Sequence, residues 1–107
     1  MRIVRTQRYL KDLKRLRLSE AERSILEFSI AADPFAGDLI PGMEGLRKQR
    51  FAMGGKGKRG GGRVIYYLMV ADDLAVMLTA YAKSERKDLS PDQKKAVLAV
   101  LKELKDG

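Results

Sequence analysis

Four cations have the types and spacing best suited to chemistry. Lys48 and Arg50 stand two residues apart, Arg63 heads the apolar run Val64-Ile-Tyr-Tyr-Leu-Met-Val70, and Lys83 closes the run Leu74–Ala82. Residues two apart on a strand project from one face. If the three runs are adjacent strands, their cations converge on one sheet face able to hold several phosphates. A compact anionic partner follows, with nucleic acid first and an acidic peptide second. Tyr66, Tyr67 and Tyr81 lie among these cations. Neighbouring residues on a strand face opposite ways, so at least one of Tyr66 and Tyr67 belongs to the core, and a stacking platform for bases is the competing use. The chain has no His and no Cys. That removes thiolate and imidazole ligands, disulfides, the Ser-His-Asp arrangement and the usual neutral-pH base. Lys, Arg, Tyr, hydroxyls and carboxylates are what remain.

The charge distribution sharpens this picture. Residues 45–71 carry 7 basic side chains and no acidic one, whereas residues 1–44 carry 8 basic and 7 acidic and residues 72–107 carry 7 of each. The net charge of +8 is therefore almost wholly the property of one stretch, which also holds 7 of the 10 glycines. The same charges would suit a solvated hairpin loop that merely keeps the protein soluble. Continuity of the charge from loop into strand favours anion binding.

Three phosphate-loop motifs fail on context. Gly55-Lys-Gly-Lys-Arg-Gly60 matches GxGxxG, but a dinucleotide site needs a strand before it and a helix opening at it, and here a strand follows. A kinase loop lacks the rest of its set, and neither Lys56 nor Lys58 is followed by the Ser or Thr of a Walker loop. Asp72 and Asp73 read as a turn, since adjacent carboxylates diverge and no third metal ligand is evident.

The elements that must position these residues are read from periodicity. Ile3-Val4 suits a short strand. Leu10, Leu13 and Leu16, with Tyr9 beside them, give an amphipathic helix from Gln7. Ser19-Glu-Ala-Glu22 is a capping box, after which Ala21, Ile25, Phe28 and Ala32 mark an apolar face and Asp33-Pro34 ends the helix. Leu39–Gly45 reads as a loop, Leu46–Ala52 as a charged strand and Gly54–Gly62 as a flexible connection. Arg63–Val70 and Leu74–Ala82 are strongly apolar antiparallel strands, whose sheet is expected to have one face covered by helices. Ser90-Pro-Asp-Gln93 starts a last helix with Val97, Leu98, Leu101 and Leu104 inward. The order predicts an α+β fold, a small antiparallel sheet with two N-terminal helices and a C-terminal helix packed against it.

A chain of 107 residues, 45% hydrophobic and 34% charged, is expected to form one domain over 1–107. No apolar run spans a bilayer, and the N-terminal residues do not read as a signal peptide. A cytoplasmic protein with no membrane partner is expected.

Gly45-Leu-Arg-Lys-Gln-Arg50, Gly55-Lys-Gly-Lys-Arg-Gly-Gly-Gly-Arg-Val-Ile-Tyr-Tyr67 and Tyr81-Ala-Lys-Ser-Glu85 with Asp88-Leu89 resemble the HigB branch of the RelE toxin superfamily. The resemblance runs from about Ile40 to Leu101. It implies a RelE-like fold and the toxin of a type II toxin-antitoxin system, which inhibits translation by cleaving mRNA on the ribosome. Family members cut by attack of the ribose 2′-hydroxyl, with no metal or cofactor. The implied partners are the ribosome, mRNA and a cognate antitoxin, expected to be a helix-turn-helix protein with acidic or helical surface over residues 45–63 or the N-terminal helices. A non-catalytic RNA- or ribosome-binding module using the same basic patch is the alternative. The resemblance assigns Arg63 to transition-state phosphate stabilisation, and Lys48 and Arg50 to the paired cations of the preceding strand. Lys48 is the better base, because a guanidinium stays charged. Lys83 assists the leaving oxygen, while Arg47, Lys56, Lys58 and Arg59 grip the RNA backbone. The RelE branch follows its third strand with Lys-Arg, whereas Ser84 follows Lys83 here. That branch also has a late catalytic Tyr; no aromatic residue follows Tyr81, which stands as the substitute proton donor.

Overall fold

A computed structural model describes residues 1–55 and 60–106. The elements are β1 (Arg2–Arg5), α1 (Gln7–Arg15), α2 (Glu20–Ala32), β2 (Asp38–Leu39), β3 (Arg47–Phe51), β4 (Gly62–Met69), a 3₁₀ turn (Val70–Asp72), β5 (Leu74–Ala82) and α3 (Pro91–Asp106). They make the expected α+β fold around a five-stranded sheet in the order β1-β5-β4-β3-β2. The sheet is mixed, because β1 runs parallel to β5 while the other neighbours are antiparallel. The segment read as a loop begins with the short edge strand β2, a pairing of two residues too brief to leave a periodic signal.

Local capping works as the sequence indicates. The Ser19 hydroxyl accepts from Glu22 N at 3.1 Å, and the Glu22 carboxylate accepts from Ser19 N at 3.0 Å. The same exchange joins Ser90 and Gln93 at the start of α3. Each box satisfies two amides that a helix start would otherwise leave open.

The helices cover both faces of the sheet, not one. On the first face Tyr9 and Leu13 of α1 and Leu26 and Ile30 of α2 pack with Val64, Tyr66 and Met77. On the other, Val97 and Leu101 of α3 pack with Ile65, Val76, Leu78 and Tyr81. Near-continuous apolar strands are the mark of a sheet buried on both sides. The expected α2 face is also corrected: Ile25 and Phe28 are 69% and 74% exposed, and Leu26 and Ile30 turn inward. Glu27 explains the rotation. It accepts from Arg5 Nη2 at 2.5 Å and from the Tyr9 hydroxyl at 2.8 Å, which pins the neighbouring Leu26 toward the core.

β1 is too short to flank all of β5. Their pairing stops at Arg5 and Met77, so the edge of β5 beyond that point must find other partners. Side chains of the following helix supply them. Thr6 Oγ1 donates to Met77 O at 2.7 Å, Asp12 Oδ2 accepts from Thr79 Oγ1 at 2.6 Å and from Ala80 N at 3.0 Å, and Arg15 donates to Ala80 O at 3.1 Å. Arg15 also pairs with Glu85, whose carboxylate accepts from Ala82 N at 2.8 Å. Burial alone would raise the Glu85 carboxyl, but the Arg15 guanidinium and the Ala82 amide outweigh it and hold it below the usual glutamate value. A depressed carboxylate stabilises the fold above its unfolded value and loses that contribution as pH falls through its folded value. Thermal melts of wild type and Glu85→Gln should therefore differ at neutral pH and converge as pH falls below about 4.3.

Candidate functional site

Register brings the cations of three strands together. Lys48 lies opposite Ile65 and Arg50 opposite Arg63 across β3 and β4, while Arg63 lies opposite Tyr81 across β4 and β5. Residues directly opposite on paired strands share a face, so Arg50, Arg63 and Tyr81 form a row across the sheet, with Lys48 one step along β3. This face is the one α3 covers, as the packing of Ile65 and Tyr81 with Val97 and Leu101 establishes. α3 packs over Tyr81 at one end of the row, while Arg50 at the other end is exposed.

The members of the row differ in environment. Arg63 is 9% exposed and donates through Nη1 to Gly62 O at 2.9 Å. Arg50 is exposed and Lys48 half-buried. Tyr81 is buried, and its hydroxyl has no hydrogen-bond partner among the described residues. Burial raises the Tyr81 phenol above its usual value, Asp88 adds to the rise, and Arg63 and Arg86 oppose it. The net effect keeps this hydroxyl protonated and able to donate. Lys83 is exposed just past β5, and its amide donates to Gly61 O at 3.0 Å, closing the ladder beside Arg63.

Arg47 does not join the group. Alternation along β3 turns it to the opposite face, where Nη1 donates to Gly37 O at 2.8 Å and to Phe35 O at 3.2 Å and the guanidinium lies 5.1 Å from the Phe35 ring centre. It ties the α2–β2 connection to the sheet, on the face opposite the Arg50–Arg63–Tyr81 row. Lys56, Lys58 and Arg59 lie outside the described residues. Tyr66 is a core residue, its hydroxyl donating to Pro34 O at 2.7 Å and accepting from Gly37 N at 3.1 Å. Tyr67 sits on the other side of the sheet, 5.4 Å from Lys105 Nζ.

Two residues near the row are missed by sequence reasoning. After β5 the chain makes a tight turn in which Glu85 N donates to Ala82 O at 2.9 Å. That turn brings Arg86 and Asp88 back toward Tyr81, whose phenol both influence. Asp88 Oδ1 pairs with Lys48 Nζ at 3.3 Å. Arg86 supplies a second cation after β5 where sequence adjacency to Lys83 offers only Ser84. Its four-residue offset from Ala82 is the available signal, and it needs the turn to be known.

Among the described residues no group of three or more His, Cys, Asp or Glu is arranged to hold a metal, and no helix is long and apolar enough to cross a membrane. A row of guanidinium, phenol and ammonium groups on one sheet face can bind a phosphate, stabilise charge developing on it and donate a proton.

Comparison with known proteins agrees with the fold. The isolated E. coli RelE toxin superposes with a TM-score of 0.56 at 16% identity, covering 92% of this chain and 97% of that one. A double mutant of E. coli toxin RelE in the free state gives the same TM-score at 15% identity, covering 80% of this chain and 86% of that one. The family described as "RelE toxin of RelE / RelB toxin-antitoxin system" matches residues 1–106. With that match across nearly its whole length, the chain belongs to the RelE toxin family.

Proposed function

We propose that this chain is a single-domain toxin of the HigB branch, a cytoplasmic, ribosome-dependent mRNA endonuclease that arrests translation. The observation that carries the reading is the Arg50–Arg63–Tyr81 row, read from strand register, with Lys48 beside it. In the proposed reaction the substrate's 2′-oxygen attacks the adjacent phosphorus, the bond from phosphorus to the 5′-oxygen breaks, and a 2′,3′-cyclic phosphate remains. Lys48 takes the 2′-hydroxyl proton. To reach that hydroxyl its side chain must leave Asp88, whose Oδ1 lies 3.3 Å from Nζ. Arg63 and Arg50 stabilise the charge developing on the pentavalent phosphate. The buried Tyr81 phenol donates its proton to the leaving 5′-oxygen, assisted by Lys83 and Arg86. No metal or cofactor enters this scheme.

The antitoxin is the proposed neutralising partner. The uncovered Ile25 and Phe28 on α2 support contact with the N-terminal helices, because adjacent exposed apolar side chains mark interaction sites. Incubation of the purified toxin with programmed ribosomes, followed by primer extension, tests the enzymatic reading. New 5′ ends inside the decoding-site codon are expected. Binding to ribosomes without cut ends would leave the basic patch as a non-catalytic RNA-binding surface and overturn the nuclease.

A further inference from the structure

We infer that Asp12 and Arg15 of α1, with Glu85 after β5, are positioning residues for proton delivery to the leaving oxygen: they hold β5 in a bulged register that aims Tyr81 at the row. The inference rests on the nuclease reading above.

A bulge decides which way Tyr81 points. Across β4 and β5, Ile65 pairs with Thr79 and Tyr66 with Met77, so Leu78 is an extra residue on β5. Ahead of the bulge, Val76 and Leu78 pack on the α3 side and Met77 on the side of α1 and α2. Uninterrupted alternation would carry Ala80 to the α3 side and Tyr81 away from it. The opposite is found: Ala80 lies in the core with α1 and α2, and Tyr81 packs on the α3 side, opposite Arg63. One added residue turns every later side chain to the other face. Without it Tyr81 would leave the row.

A bulge disrupts the ladder locally, and the bulged stretch of β5 lacks a neighbouring strand on its outer side. β1 stops pairing at Met77, immediately before the extra residue. Thr6 Oγ1 caps the bulge, donating to Met77 O at 2.7 Å with Leu78 O at 3.3 Å. Beyond it, three backbone groups flanking Tyr81 are each held by a charged side chain. Ala80 N donates to Asp12 Oδ2 at 3.0 Å, Ala80 O accepts from Arg15 Nη2 at 3.1 Å, and Ala82 N donates to Glu85 Oε1 at 2.8 Å. Arg15 joins the set, since Nη2 lies 3.2 Å from Asp12 Oδ1 and Nη1 pairs with Glu85. Glu85 stands between Lys83 and Arg86, so the same bridge ties down the phenol and the two cations proposed to assist it. Proton transfer needs its donor within about 3 Å of the departing oxygen, and a misplacement of about 1 Å can cost about 100-fold.

The test compares two messages on programmed ribosomes, one natural and one with sulfur in place of the 5′-oxygen at the cut. When the phosphorus–sulfur bond breaks, sulfur departs as a thiolate and needs no proton, because a thiol is far more acidic than an alcohol. Arg15→Gln and Glu85→Gln, shown by thermal melts to be folded at the assay temperature, should cut the natural message about 10- to 100-fold more slowly than wild type. Both should cut the sulfur message at the wild-type rate. Arg15→Lys should recover only part of the natural-message rate, because an ammonium keeps the charge without the fork. Arg5→Gln, which removes the ion pair with Glu27 instead, should cut both messages like wild type. Equal slowing on both messages would make the bridge structural only and overturn the inference, leaving the nuclease standing. So would a wild-type rate on the natural message from both folded variants. Absence of cut ends from wild type would overturn the nuclease reading and the positioning role with it.

Discussion

Replacing Arg63 with Ala should lower mRNA cleavage by about 100- to 1,000-fold, the cost of deleting one donor aimed at developing oxyanion charge. Arg63 stands between Arg50 and Tyr81 in the cross-strand row and is the least exposed of the site's cations. A guanidinium held this way is pre-oriented, so little rearrangement accompanies charge build-up on the phosphate. Arg63→Lys should recover only part of the rate, because an ammonium lacks the fork that engages two phosphate oxygens. Single-turnover cleavage on programmed ribosomes measures both variants, and thermal melts show whether the fold is kept. A folded Arg63→Ala protein that cuts at the wild-type rate would remove Arg63 from the mechanism.

Gly62→Ala should cost about 1–3 kcal/mol of stability through overpacking. Gly62 lies opposite Phe51 in the β3–β4 ladder, and the ring of Phe51 occupies the space where a side chain would be. A Cβ there would come within 2.7 Å of Cε1 and 2.8 Å of Cε2, and nearer still to Cζ. Phe51 is itself buried in the core under α1 and α2, so the ring has little room to retreat. Urea denaturation should show a lower midpoint with an unchanged slope. Phe51→Leu should destabilise the wild type yet relieve part of the Gly62→Ala loss, giving a coupling energy in the double-mutant cycle. Additive losses would mean that the ring and the new methyl do not meet.

Features set by neighbouring residues were legible in the sequence. Both capping boxes, the limits of β5 and the common face of Lys48 and Arg50 follow from residue types and spacings within one element. The orientation of α2 was not, because Ser24-Ile-Leu-Glu-Phe-Ser-Ile-Ala-Ala32 is apolar on more than one side. Pairing of Glu27 with Arg5 and Tyr9, distant in sequence, decides which side turns inward. Parallel pairing of β1 with β5 is likewise a contact between the two ends of the chain, with no local trace. At the site, the strand cations could be read but their neighbours could not. Arg86 and Asp88 return to Tyr81 through turn geometry, and Arg47 is recruited by the carbonyls of Phe35 and Gly37.

The clamp that α1 places on β5 bears on how copies of the protein meet in solution. A strand edge without a neighbour is a template on which another chain can add, and the stretch of β5 beyond Met77 is such an edge. Thr6, Asp12, Arg15 and Glu85 occupy its hydrogen-bonding groups with side chains. Two of these four are carboxylates, and a third is the guanidinium they bind. The seal against edge-to-edge aggregation is thus ionic, tying colloidal behaviour to charge state as well as to burial of the core.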